Sequence, residues 1–476
     1  MYDLAVIGGG PGGYVAAICG AQHGLKTLLV EKDALGGTCL NRGCIPTKCF
    51  IHDTKLFHGA KNSSLLKGTE ALSLDVQKMV SRKRTVVKGL VGGLAAIMKS
   101  HRIEVVQGVG EVTAPGKLKV NTPGGTAKEF GTAKEFGAAK EFQAKHVILS
   151  TGSRPALPPF IKADGRLVQT TDHALDTEVV PGKIVIIGGG VIGVEMASIY
   201  LNLGCAVTIL ELLPEILNTE DEEVRQTLKI LLEKRGAKIH LKAKATEVTI
   251  RGEQVEIAFQ DSTGKMGQLK ADRLLVAAGR APVLDGIQPD RLGLKMNGPF
   301  VKVNARLETG VPGVYAIGDL VGGMMLAHKA SAEAEAAVAN ILGGKREVDS
   351  TRIPRCIWGL TEIGAVGLSE QEARATGRPV RVGKFPCPYS GASQAMGKKD
   401  GFVKVVGDSE TGEILGVHIV GEHATDLIGE SVMAMTMEAA VEDLAEVIKP
   451  HPTLSENLME AAKDWSGLAI HAPKKR

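Results

Sequence analysis

Leu4-Ala-Val-Ile-Gly-Gly-Gly-Pro-Gly-Gly13 and Ile184-Val-Ile-Ile-Gly-Gly-Gly-Val-Ile-Gly193 are one pattern written twice, at an offset of 180 residues and without a gap. Each run of four apolar residues predicts a buried strand, and each Gly-x-Gly-x-x-Gly a tight turn into a helix. The likeness continues beyond the turns. Ala17 and Gly24 match Ala197 and Gly204, and each copy reaches a glutamate eighteen residues past its third glycine, Glu31 and Glu211. In such a unit the first glycine permits the turn and the second lets backbone approach a pyrophosphate. The third lets helix pack on strand, and the helix N-terminus faces negative charge. The glutamate can accept hydrogen bonds from a ribose. A single copy carries little weight, but the pair predicts two bound dinucleotides. Glu211 is followed by Leu-Leu-Pro, with no arginine to receive a 2′-phosphate, so the second site should prefer NAD over NADP.

The rest of the chain fits around this duplication. At about 100–200 residues per domain, 476 residues imply several domains with ample cores. Charged residues make up 23%, and 57 basic against 53 acidic side chains leave +4, too little to argue for nucleic acid or an anionic membrane as partner. The uncharged stretch 4–25 is too rich in glycine for a membrane span, and Asp3 precedes it where a signal peptide would be basic. The protein is expected to be soluble and cytoplasmic. Seven cysteines, an odd set, form no disulfide framework. No metal site is expected.

Further on, a helix is predicted over about 221–235, with strands near 238–242 and 246–259. In 126–142, Ala-Lys-Glu-Phe recurs every six residues (127–130, 133–136, 139–142), a period that suits an expanded exposed hairpin better than a helix. Strands over 402–406 and 414–420 and an amphipathic helix over about 424–440 predict a separate α+β domain from about 346 onward. The run 309–319, Thr-Gly-Val-Pro-Gly-Val-Tyr-Ala-Ile-Gly-Asp, is an apolar strand ending in a turn whose Asp319 is placed to bind a polyol such as a flavin's ribitol.

Residues 36–48 read Gly-Gly-Thr-Cys39-Leu-Asn-Arg-Gly-Cys44-Ile-Pro-Thr-Lys48. Across a regular helix, cysteines five apart are separated by about 7.5 Å, beyond the roughly 7 Å limit for a disulfide. Gly43 and Pro46 offer the irregular backbone that could bring them together. Because the segment directly follows Glu31, the chain delivers a dithiol beside a bound cofactor, and Lys48 is a cation able to favour a thiolate. Near the other end, His451-Pro-Thr-Leu-Ser-Glu456 offers an imidazole base and a carboxylate to orient it.

CLNRGCIPTK (39–48), STGSRP (150–155), the 309–319 run, MLAHKA (325–330) and HPTLSE (451–456), with both glycine fingerprints, resemble the flavoprotein disulfide reductases over nearly the full length. The resemblance implies an α/β protein with two Rossmann-like dinucleotide-binding domains and a C-terminal α+β dimerisation domain. The parts would be 1–149 (FAD-binding, carrying the repeat), 150–272 (NAD-binding), 273–345 (the rest of the FAD domain) and 346–476 (dimerisation). FAD would lie on Gly8, Gly10, Gly13, Glu31, Gly110, Thr151, Gly152, Ser153, Asp319, Met325, Leu326, Ala327 and His328. Lys48 would sit near the flavin N5. NAD would use Gly188, Gly190, Gly193, Glu195, Glu211, the backbone near Ala245, and Gly279, with Glu195 also pairing Lys48.

The resemblance further implies a redox-active Cys39–Cys44 disulfide and a His451–Glu456 base supplied by the neighbouring subunit of a homodimer. The reaction implied is oxidation of a protein-bound dihydrolipoamide with NAD⁺, the alternative being a related NAD(P)H-dependent disulfide or metal-ion reductase. Partners would be the lipoyl-bearing proteins of a 2-oxo acid dehydrogenase or glycine cleavage system. Three positions depart from the family pattern: Lys449 stands where a histidine is usual, 361–365 reads Thr-Glu-Ile-Gly-Ala, and Ala281 follows Gly279-Arg280.

Overall fold

The computed structural model describes residues 1–123 and 136–473. Its first sheet is parallel at its centre, in the order Glu104–Gln107, Thr27–Glu31, Tyr2–Ile7, Phe136–Leu149, with Val314–Ala316 also pairing to the last. Leu4, Val6 and Leu29 are wholly buried under the helices Pro11–Gln22, Val76–Ser100 and Ala327–Ile341 on one face, and Ala5 and Leu28 under the strands Val109–Ala114 and Lys117–Pro123 on the other. Pro11–Gln22 lies beside Ala327–Ile341. The outer half of Phe136–Leu149 pairs antiparallel with Lys117–Pro123. The third copy of the repeat, at 139–142, lies in this strand, whereas 127–130 and most of 133–136 lie outside the described residues.

The second sheet repeats the plan. Lys238–His240, Ala206–Leu210, Lys183–Ile187, Arg273–Val276 and Val168–Gln169 are all parallel, and Val191–Asn202 is the helix after the fingerprint. The boundary expected at 272/273 needs moving. Leu274, Leu275 and Val276 pair with Val185, Ile186 and Ile187 inside the second sheet, so that unit runs through Val276. The apolar run is buried between two parallel neighbours, and this drew it into the second core. The helix expected over 221–235 spans Glu222–Lys234. The strand expected over 246–259 is two, Lys244–Arg251 and Gln254–Gln260, because Gly252 (φ +60°) turns the chain into a hairpin.

The C-terminal part is an antiparallel sheet, Arg355–Ile357, Glu362–Gly367, Ile414–Gly421, Phe402–Asp408, Val380–Pro386, packed against helices Ala424–Thr436 and Glu456–Trp465. A buried ionic cluster fastens it to the second unit. Lys404, with no exposed side-chain surface, places Nζ 2.7 Å from Glu370, 3.1 Å from Asp221 and 3.1 Å from Glu223. Burial alone would lower the lysine's pKa, but these carboxylates together hold it above the ordinary value. Removing the cation strands buried Asp221 without a counter-charge. Lys404→Met is therefore expected to destabilise the fold by about 3–5 kcal/mol, read from denaturant unfolding of the holoprotein. A shift under about 1 kcal/mol would mean that the cluster is dispensable.

Candidate active site

The two fingerprints fold alike down to individual bonds. Gly8 and Gly188 take φ of +102° and +109°, open to glycine at little cost. A Cβ on Gly13 would collide with the Gly8 carbonyl, and one on Gly193 with the Gly188 carbonyl. The third glycine is thus set by helix-on-turn packing. Around Gly190 nothing lies within 4 Å of an added Cβ, and around Gly10 only Gly37 Cα, at 3.9 Å. Both middle glycines head helix N-termini with space above them, the form a pyrophosphate requires.

The acids are wired identically. Glu31 accepts from the Gly9 amide (2.6 Å) and the Asp33 amide (2.7 Å). Glu211 accepts from the Gly189 amide and, at 2.7 Å, from the Leu213 amide. Every partner is offset by 180. Burial raises the pKa of Glu31 against the pull of the Gly9 amide.

The far half of the first site is a polar chain. Ser153 Oγ donates to Asp319, and Arg280 donates to Ser153 Oγ (2.7 Å) and to its carbonyl (2.8 Å), with Nε 3.8 Å from Asp319. Thr151 Oγ1 donates to the Val283 carbonyl at 2.6 Å, next to Gly152. Asp319 sits in the turn Gly318–Val321, held from beneath by Glu333, which accepts from the Gly318 amide (2.7 Å) and pairs with Lys329 (2.7 Å). Lys329 in turn donates to the Gly322 carbonyl at 3.1 Å.

Sequence reading missed Arg280, Lys329 and Glu333. Arg280 stood beside a glycine chosen for its backbone, and the i, i+4 spacing of Lys329 and Glu333 was the available signal. Met325 and Leu326 lead into the N-terminus of Ala327–Ile341, whereas the His328 ring turns away to the Pro354 carbonyl (2.7 Å). Gly110 packs against Ile7 and Val30 at the sheet's edge. In the second site Ala245 adjoins a β-bulge, and Gly279 (φ +110°) has open space above it.

The dithiol segment is two helices, Gly37–Arg42 and Cys44–Lys61, broken at Gly43. The break brings the Cα atoms of Cys39 and Cys44 to 4.7 Å, and their sulfurs form a disulfide. Pro46, expected to share in the irregularity, instead sits in the first turn of the second helix, where proline is tolerated. A Cβ on Gly37 would come within 2.6 Å of Gly10 Cα. The disulfide helix is therefore pressed onto the first fingerprint, beside the space meant for a dinucleotide.

Cys44 heads an eighteen-residue helix, whose positive end favours a thiolate there. Lys48, one turn on, lies 3.0 Å from each oxygen of buried Glu195. Glu195, expected both to pair Lys48 and to stand among the NAD residues, bonds Lys48 and accepts from the Trp358 amide (3.0 Å).

His451 Nδ1 and Glu456 Oε1 are 2.9 Å apart, and the other Glu456 oxygen accepts from the Thr453 amide at 2.8 Å. Burial works against the charge on Glu456, but that amide and the imidazole outweigh it and hold the carboxyl below its ordinary range. Lys449, nearly buried, pairs with Glu430. The His451 side chain itself is 77% exposed in the single chain, on a domain that also leaves Met433, Met437 and Ile448 open to solvent.

Residues 2–334 match the family model for pyridine nucleotide-disulphide oxidoreductases, and residues 353–462 match that family's dimerisation domain. The chain is 40% identical to the dihydrolipoyl dehydrogenase of Bacillus subtilis, with 99% of each chain covered. It is 38% identical to the mitochondrial dihydrolipoyl dehydrogenase of Pisum sativum, covering 98% of this chain and 92% of that one. Among solved structures, the HOCl-induced flavoprotein disulfide reductase RclA from Escherichia coli superposes with a TM-score of 0.83 at 27% identity, covering 96% of this chain and 98% of that one. Among the described residues no helix is long and apolar enough to cross a membrane.

Proposed function

Because the chain belongs to the pyridine nucleotide-disulphide oxidoreductase family, we infer that it is a dihydrolipoyl dehydrogenase, oxidising dihydrolipoamide to lipoamide with NAD⁺ and using FAD. The observation that carries this reading is the Cys39–Cys44 disulfide pressed against the first fingerprint, within a chain 40% identical end to end to an enzyme of that name. FAD would rest on the first unit (1–149 and 277–345), along Gly8, Gly10, Gly13, Glu31 and Asp319, with Ser153 meeting it from the start of the second. There it would supply the two-electron relay between dithiol and nicotinamide. NAD⁺ would rest on the second unit (150–276) and Glu211.

The chain's own residues handle the thiols. His451, its tautomer fixed by Glu456, takes the proton of one substrate thiol. The resulting thiolate attacks Cys39, the Cys39–Cys44 bond breaks, and Cys44 leaves as a thiolate favoured by its helix N-terminus. The second substrate thiol, deprotonated in its turn, then displaces Cys39 and closes lipoamide. An imidazole 77% exposed in one chain is not enclosed by that chain alone. Together with the dimerisation domain and the apolar side chains that this domain leaves open, this supports a homodimer in which His451 serves the partner's disulfide. The physiological substrates would be lipoyl groups of a 2-oxo acid dehydrogenase or glycine cleavage system. Five unpaired cysteines accord with the reducing cytoplasm.

The test is directional. Purified protein should form NADH with dihydrolipoamide far faster than it consumes NADH with other disulfides, and the reverse preference would overturn the reading. Coenzyme choice gives a second expectation. Leu212, 62% exposed, directly follows Glu211 and offers no cation to a 2′-phosphate. Leu212→Arg should raise kcat/KM for NADP⁺ about 10- to 100-fold, the worth of one charge-assisted hydrogen bond, measured by initial rates with both coenzymes.

A further inference from the structure

The Lys48–Glu195 pair has a third member, contributed by the C-terminal domain. Trp358 directly follows the edge strand Arg355–Ile357. Its amide donates to Glu195 Oε1 at 3.0 Å, and the centroid of its indole ring lies 4.1 Å from Lys48 Nζ. The segment around it is fixed as well. The Leu360 amide donates to Ser198 Oγ at 3.2 Å, and a Cβ on Gly359 would crowd that same hydroxyl at 2.9 Å. Residues 358–360 are thereby clamped along the helix Val191–Asn202, with the indole laid against the ammonium.

A lysine carries its charge on a flexible four-carbon stem and does not hold one position unaided. Glu195 fixes this ammonium from one side and the indole face from another. Cys44 and Lys48 are four apart on one helix and share a face. A held ammonium therefore acts steadily on the sulfur at Cys44, whereas a mobile one would spend time in water. We propose that Trp358 is a positioning residue of the redox centre, holding the Lys48 ammonium beside Cys44 so that the reduced enzyme keeps Cys44 as a thiolate. Through it, the C-terminal domain has a direct grip on the electronics of the disulfide. The other groups bearing on Lys48 are Glu195 and Cys356, on the edge strand. Burial pushes the Cys356 thiol up to about 11, so it stays neutral at working pH.

The inference rests on the function proposed above, and one experiment separates the two. FAD-loaded wild type, Trp358→Leu and Trp358→Phe are each reduced by two electrons with dihydrolipoamide. The long-wavelength thiolate–flavin absorption is then followed from pH 4 to 9, with flavin content and thermal midpoint measured alongside. In Trp358→Leu the apparent proton dissociation constant governing the band should fall about three- to thirtyfold, the range a desolvated cation–π contact spans, moving its midpoint to higher pH. Trp358→Phe, which keeps an aromatic face, should recover most of the shift. A Leu variant that titrates like wild type overturns the proposal, as does a Phe variant displaced as far as the Leu variant. A wild type that develops no band at all instead overturns the underlying assignment of function.

Discussion

Cys44→Ser should yield a protein that still binds FAD and is yellow, yet turns over no dihydrolipoamide. The flavin side would be untouched, because Gly8, Gly10, Glu31, Ser153 and Asp319 make no use of the sulfur. The thiol side would lose its acceptor. Without Cys44 there is no disulfide for a substrate thiolate to open, and a serine at the head of the helix offers no low-pKa leaving group. The loss should be on the order of 10⁴-fold or more, the scale for removing a residue that carries a covalent intermediate. The long-wavelength band on reduction should vanish with it. Oxidation of NADH by a small one-electron acceptor, which bypasses the dithiol, should survive. A variant retaining even a tenth of lipoamide turnover would mean that electrons take another route.

His451→Gln should lower kcat/KM for dihydrolipoamide by about 10²–10⁴, the usual worth of a positioned general base, and leave the bypass reaction intact. Glu456→Gln should move the same way by less, since it disturbs only the ring's tautomer and orientation. Mixing the two inactive variants tests where the base comes from. If His451 serves the partner, each mixed dimer of Cys44→Ser and His451→Gln chains contains one intact site, pairing the disulfide of one chain with the imidazole of the other. Random reassociation should then restore about a quarter of wild-type activity. No recovery, with mixed dimers demonstrated by differential tagging, would place the base in the same chain.

The sequence announced these features unevenly, for physical reasons. Gly8, Gly13, Gly188 and Gly193 were readable because a collision forbids any side chain there, and such sterics recur wherever the turn is used. Glu31 and Glu211 were readable because their distance from the turn is fixed by one helix and one strand. Arg280, Glu333 and Trp358 were not, because each acts on a partner brought near only by tertiary folding: Ser153, Gly318 and Lys48. The strand Arg273–Val276 shows the same limit. Its apolar run was plain, but which sheet would bury it was decided by neighbours far along the chain. Lys404 is the extreme case, an unremarkable lysine in a strand pattern until three carboxylates from other elements surround it.

The repeat unit has six residues, an even number. In the strand Phe136–Leu149 its third copy places Phe142 against Tyr2, with ring centroids 6.2 Å apart. Along a strand, orientation alternates with a period of two, so insertion or deletion of whole units changes no side chain from inward to outward. An eighteen-nucleotide slippage in the gene would lengthen or shorten the chain here and still deliver a phenylalanine to that tyrosine.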